Sequence, residues 1–236
     1  MSGSQDGRRF GDELREAASP VWTAQFEHPF IQGIGDGTLD PERFRHYIRQ
    51  DYAFLIEYAR LLALACARAP ALETMTRFAG LVHEILTTEM GLHREYAQEW
   101  GISADELEAE RPAPATRAYT DFLLRTAALG DFGELVAALL PCMWGYSELG
   151  RRLADQGCPD HELYRRWIEM YAGEDFAELA SWCRELCDEA ANGLAPAGRE
   201  RMRTAFLASS AHELAFWEMA WRLETPEAGA AGDPLP

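Results

Sequence analysis

Asp40-Pro-Glu-Arg-Phe-Arg-His-Tyr-Ile-Arg-Gln-Asp-Tyr-Ala-Phe-Leu-Ile-Glu-Tyr58 begins with an acid that can cap a helix and a proline suited to its first turn. The pattern continues to about Ala69, where Pro70 stops it. Within it, Asp51, Phe54 and Tyr58 fall at i, i+3 and i+7, with Tyr47 one turn earlier, so they share a helix face. Helical periodicity extends outward in both directions, and the alternation of a half-buried strand is nearly absent. Upstream, Phe10 to Glu27 reads as a helix interrupted near Pro20, followed by a turn-rich stretch from His28 to Gly37. Downstream, helices are expected at about 71–100, from Ser103 to near Arg111, at 116–129, at 131–156 with Pro141 inside, at 161–192 with a break at Gly173, and at 197–223. About seven or eight helices with short connections predict one all-α domain, a helical bundle over residues 8–224. Residues 1–7 and 225–236, the latter rich in Gly, Ala and Pro, are expected to be disordered.

The 236 residues are 47% hydrophobic, ample for one packed core. No apolar run approaches the ~18 residues of a membrane helix, and the first residues lack a signal-peptide pattern. A cytoplasmic protein is expected. All 22 basic residues are Arg, and the formal charge is −17. Such an anionic surface repels phosphate backbones, so nucleic acid is not an expected partner. Five Cys without a secretory signal argue against a disulfide framework.

Several clusters are suited to chemistry. In Leu140-Pro-Cys-Met-Trp-Gly-Tyr146, Pro141 removes a helix hydrogen bond beside Cys142, and Tyr146 shares the face of Cys142. An inert core Cys fits the local sequence too. Asp51 on an aromatic helix face requires a partner, because burying an unpaired carboxylate costs several kcal/mol; a neighbouring Arg or Tyr would serve. Glu213 beside Phe216 repeats the pairing of acid and aromatic, and also fits an exposed helix charge. Tyr119 and Tyr171 lie near element boundaries, where core packing is the ordinary role. Glu89 and His93, at i and i+4, with Glu57, Glu84 and Glu148 on nearby stretches, suggest a di-iron bundle. The usual duplicated Glu-x-x-His pair is missing, however, and no metal is expected. Cys183 and Cys187 have no second pair to make a zinc site.

Taken in order, these segments resemble the TenA/thiaminase II family. The matching pieces are His28-Pro-Phe with Gly33-Ile-Gly-Asp-Gly-Thr-Leu39, Gln50-Asp-Tyr, Gly101-Ile-Ser, Pro112-Ala-Pro with Ala118-Tyr-Thr, Leu140-Pro-Cys with Trp144-Gly-Tyr, Trp167-Ile with Tyr171-Ala, and Glu213 with Phe216-Trp. The resemblance covers roughly residues 10–222. It implies a haem-oxygenase-like bundle that binds no haem or other cofactor, assembled as a homotetramer. The implied activity is hydrolysis of thiamin, or salvage of its degraded form 4-amino-5-aminomethyl-2-methylpyrimidine to the hydroxymethylpyrimidine. Carried over by position, Cys142 would be the nucleophile and Glu213 the acid/base. Asp51 would hold the pyrimidine's amino group and a ring nitrogen. Tyr119, Tyr146 and Tyr171 would line the pocket, and Phe216 would contact the ring face. Phe54 stands where some members have Tyr, which bears on substrate preference. Cys142 places the chain in the Cys-containing branch.

The chemistry explains the residue types. An aromatic pyrimidine does not readily expel a group from its CH2 substituent. A thiolate added to the ring breaks aromaticity and supplies the electrons for expulsion. Two other readings use the same residues: a metal-dependent oxidase with Glu and His ligands, which bound iron would favour, and an aminopyrimidine-binding protein without turnover.

Overall fold

Proline and short polar caps set where the helices begin. The computed structural model describes residues 9–226, which form twelve α-helices and one π-helical turn, with no strand among the described residues. The helices are α1 (Phe10–Ala17), α2 (Ser19–Phe26), α3 (Pro29–Asp36), α4 (Pro41–Arg68), α5 (Leu72–Glu84), α6 (Met90–Glu99), α7 (Ala104–Glu108), α8 (Pro114–Leu129), α9 (Phe132–Gln156), α10 (Glu162–Ala172), α11 (Glu174–Ala191) and α12 (Pro196–Arg222). The π turn, Ile85–Glu89, joins α5 to α6. Pro29, Pro41, Pro114 and Pro196 each occupy the first position of a helix, where a missing N–H costs nothing. Asp40 caps α4 through the Glu42 N–H at 3.0 Å. Reciprocal capping boxes start α7 (Ser103 with Glu106) and α9 (Asp131 with Glu134).

The all-α expectation holds, and the helix count differs for local reasons. The turn-rich stretch after His28 is helix α3. Its capping signal is an imidazole: His28 Nδ1 accepts from the Phe30 N–H at 3.2 Å, and Gly37 ends the helix in the left-handed region. Nδ1 is thus the unprotonated nitrogen, so Nε2 carries the proton and donates to Glu218 at 3.0 Å. The interruption expected near Pro20 falls at Ala18 and divides this stretch into α1 and α2. The predicted helix at 71–100 is divided by the π turn. The break at Gly173 lies where expected. The disorder expected at 1–7 and 225–236 falls outside the described residues, except for Thr225 and Pro226, which have no regular structure.

Helix α9 is the centre of the bundle. It packs against α10, α11 and α12, while α4 packs against α5 and α8, and α8 also meets α12. Leu135 through Pro141 is buried without a polar interruption, the pattern of a helix surrounded by others. The helix runs through Pro141 unbroken. Nearby carbonyls attract hydroxyls from other helices: Ser209 Oγ donates to Ala138 O (2.6 Å) and Tyr58 OH to Leu139 O (3.2 Å). The buried indoles also find partners, with Trp22 donating to Ser210 Oγ and Trp167 to Tyr47 OH.

Gly150 sets the approach of α10 to α9. A Cβ there would lie 2.6 Å from the Tyr171 carbonyl carbon and 2.7 Å from the Ala172 nitrogen, both backbone atoms. Gly150→Ala is therefore expected to push α10 outward and cost on the order of 1–3 kcal/mol. Thermal unfolding checks this; an unchanged melting temperature would contradict it.

Candidate active site

A cavity of about 530 Å³ opens between α4, the α5–π turn segment, α9, α10 and α11. Asp51, Phe54 and Tyr58 come from α4, and Cys142, Met143 and Tyr146 from α9. Tyr171 comes from α10, Phe176 and Asp175 from α11, and Ile85, Thr88 and Glu89 from the π turn. The wall is mostly apolar, yet it carries four carboxylates: Asp51, Glu84, Glu89 and Asp175. No arginine lines it.

Cys142 keeps part of its surface open to this cavity. Its thiol lies near enough to the carboxyl group of Glu213 and the hydroxyl of Tyr58 for each to influence the other's ionisation. Burial pushes the thiol well above its ordinary value, and the charges of Glu213, Glu89 and Asp51 push in the same direction. The resting site therefore holds a thiol, and attack requires a base.

Glu213, 2% exposed, lies on α12 one layer behind the cavity wall. Local sequence also fitted an exposed charge there; the fold buries it. Tyr119 OH donates to its Oε1 at 2.6 Å and lies 3.0 Å from Ser209 Oγ. Burial raises Glu213 to about 8, and the nearby Asp51 charge adds to the rise while the bonds from Tyr119 and Cys142 oppose it. Phe216 and Tyr119 also stand behind the wall, in contact with Phe54 at ring-centroid distances of 5.6 and 5.0 Å. Phe54 in turn faces the cavity. Tyr146 and Tyr171 pack together at 4.7 Å, both on the wall. All eight residues singled out from the sequence thus meet in one region. Five line the cavity, and Tyr119, Glu213 and Phe216 support it from behind.

The partner of Asp51 is neither Arg nor Tyr. His93 Nε2 lies 2.7 Å from Asp51 Oδ2, and His93 Nδ1 lies 2.9 Å from the Glu89 carbonyl oxygen. A carbonyl only accepts, so Nδ1 carries a proton, and one further proton is shared between Nε2 and the Asp51 carboxyl. The pair is neutral overall whichever atom holds that proton. Burial alone would lower His93, but the Asp51 bond and the charges of Asp51 and Glu89 outweigh it and hold His93 above its ordinary value.

Glu89 was singled out only with His93, as a metal ligand. Instead its Oε1 accepts from Tyr171 OH at 3.0 Å. Burial and the Asp51 charge raise it to about 7. Both ring nitrogens of His93 are engaged by protein. Among the described residues no group of three or more His, Cys, Asp or Glu is arranged to hold a metal ion. Glu57 and Glu148 pair with Arg60 and Arg15, and Cys183 and Cys187 are buried in the core. The π turn places Glu89 on the wall while His93 points at Asp51. Its only sequence trace is the pair of β-branched residues Thr87-Thr88, poor helix formers that do not by themselves specify a π turn.

The sequence profile of the TENA/THI-4/PQQC family matches residues 15–223. The chain belongs to the TENA/THI-4/PQQC family. A family relative from Halalkalibacterium halodurans, named aminopyrimidine aminohydrolase, is 46% identical over 213 residues, 90% of this chain and 95% of its own length. The structure titled TenA homologue protein from P. horikoshii OT3 superposes with a TM-score of 0.85 at 31% identity, over 91% of this chain and 99% of that one. A domain from Shewanella denitrificans described as having a heme oxygenase-like fold superposes with a TM-score of 0.69 at 14% identity, over 90% and 92% of the two chains. The last likeness establishes the fold: this member of the TENA/THI-4/PQQC family is a haem-oxygenase-like all-α bundle.

The raised Glu213 affects stability in a defined direction. Its folded-state value of about 8 exceeds the ordinary 4.5. The folded state thus keeps a proton that the unfolded chain loses, and stability falls as pH rises from about 4.5 to about 8. Glu213→Gln removes this dependence. Its stability advantage over wild type should widen across that window, to on the order of a few kcal/mol at pH 8. Denaturant titrations at several pH values check this, and a constant difference would contradict it.

Proposed function

We propose that the chain is an aminopyrimidine aminohydrolase, a thiaminase II-like enzyme that converts 4-amino-5-aminomethyl-2-methylpyrimidine, thiamin, or both to the hydroxymethylpyrimidine. The observation that carries the proposal is Cys142. Its thiol is open to a mostly apolar cavity, lies near Glu213 and shares the wall with Asp51. The names of the family relatives support the same reading.

In this mechanism the flat, electron-poor ring stacks among Phe54, Tyr146 and Tyr171. The Asp51 carboxyl, oriented by His93, accepts from the amino group and pairs with the adjacent ring nitrogen. Glu213 takes the Cys142 proton as sulfur bonds to the ring carbon, and delivers it to the other ring nitrogen, the one Asp51 does not hold. A carboxyl raised to about 8 suits that task, because it both holds and releases a proton near neutrality. Tyr119 fixes the orientation of Glu213. Phe54 contributes no hydroxyl to this network. The dearomatised ring then expels the leaving group, water adds at the CH2 carbon, and the thiol departs.

We also read the protein as a cytoplasmic homotetramer. The family resemblance supports that assembly, and so does the segment of α5 and the π turn, where Leu72 and Met75 of α5 and Leu86 of the π turn are exposed while Phe78 and Leu81 are buried. Size-exclusion chromatography with light scattering tests it: a wild-type monomer would refute the tetramer.

Incubation with 4-amino-5-aminomethyl-2-methylpyrimidine should release ammonia. Cys142→Ala should slow release on the order of 10³-fold or more while still binding the hydroxymethylpyrimidine. Near-normal turnover by Cys142→Ala would refute the nucleophile. Binding without turnover in the wild type would make the protein a carrier.

A further inference from the structure

In the mechanism above, Cys142, Asp51 and Glu213 all act on the ring. None acts on the leaving group. That group is an alkyl amine, cationic near neutral pH, and the carbon it leaves must then be reached by water.

Glu89 stands on that side of the site. On the ring, the carbon bearing the CH2 is bonded to the carbon bearing the amino group, so the leaving group lies beside the edge assigned to Asp51. Glu89 lines the cavity with Asp51 and Cys142, close enough for each to feel its charge. Glu213 is held instead by Tyr119 OH, behind the wall. One Glu89 oxygen accepts from Tyr171 OH, and the other has no hydrogen-bond partner among the described residues. Glu89 sits on the π turn next to exposed Thr88, where the cavity reaches solvent. Asp51 from α4, His93 from α6, Cys142 from α9 and Tyr171 from α10 interact with it, and Tyr58, Glu84, Tyr146 and Asp175 line the same cavity. With no arginine on the wall, this rim is built for a cation.

We propose that Glu89 is a further catalytic residue: its free carboxylate oxygen binds the cationic leaving group, then takes a proton from the water that replaces it. This rests on the aminopyrimidine reading. Once sulfur has bonded to the ring carbon and the ring nitrogen is protonated, the C–N bond breaks and its electron pair leaves with nitrogen as ammonia. An electron pair of the dearomatised ring forms the exocyclic double bond. Water oxygen then bonds to the CH2 carbon and gives one proton to Glu89, which passes it to ammonia. The C–S bond breaks with its pair returning to sulfur, and the ring-nitrogen proton returns through Glu213 to Cys142. The sum is ammonium pyrimidine plus water giving alcohol plus ammonium ion. A thiazolium leaving group, cationic without a proton, meets the same oxygen.

The test compares Glu89→Gln and Glu89→Asp with wild type in the full chain. Calorimetry measures binding of the aminomethylpyrimidine and of the neutral hydroxymethylpyrimidine, and single-turnover assays follow ammonia. Glu89→Gln should bind the hydroxymethyl compound within about twofold of wild type and the aminomethyl compound at least about tenfold more weakly. It should slow ammonia release about 100-fold or more, and Glu89→Asp should recover part of both losses. Unchanged binding and release would overturn the proposal. So would equal weakening toward both pyrimidines, which marks a structural role. If wild type binds neither pyrimidine, the aminopyrimidine reading itself fails and this proposal with it.

Discussion

The carboxyl groups of Asp51, Glu89 and Glu213, the Cys142 thiol and the His93 imidazole lie together in and behind the wall of one largely apolar cavity, and a low-dielectric surrounding does not tolerate several like charges together. Each acid meets this constraint differently. Asp51 shares a proton with His93, so the pair is neutral. Glu213 and Glu89 are raised by burial to about 8 and about 7, so each can hold a proton near neutrality. Cys142 stays a thiol until a base takes its proton. The result around Cys142 is a site rich in transferable protons, which is the state that acid/base and nucleophilic chemistry on a heterocyclic ring requires.

The helices impose this arrangement by bringing separate segments to one place. Cys142 and Tyr146 come from the central helix α9. Tyr171 approaches only because Gly150 has no side chain to hold α10 away. Glu213 belongs to α12, whose Ser209 also bonds the Ala138 carbonyl near Pro141. The π turn turns Glu89 to the wall and His93 toward Asp51, so a local irregularity in one helix provides both an orienting imidazole and an acid at the cavity.

Much of the fold could be read from the sequence, because helix starts carry local chemistry. Asp40-Pro41, Asp131 with Glu134, and Ser103 with Glu106 mark helix starts through hydrogen bonds made within a few residues. Helix α3 escaped notice because its cap is a histidine, an uncommon capping residue. The break expected near Pro20 falls two residues earlier, at Ala18, because proline is accommodated in the first turn of α2. At the site, Cys142, Asp51, Glu213 and their aromatic companions were found through the resemblance, whereas local sequence left an inert thiol and an exposed Glu213 open. The Asp51–His93 pair was missed because its members are 42 residues apart and a lone His near a Glu first suggests a metal ligand.

By itself the amino-acid sequence determined an all-α chain, most of its helix boundaries, its strongly anionic charge and the ordered motifs of its family, since periodicity, caps and motif spacing are local properties written along the chain. Only the tertiary structure decided which acids are buried, which proton each holds and which oxygen remains free. Those depend on the dielectric and the partners that distant helices bring to a group, and no window of sequence contains them.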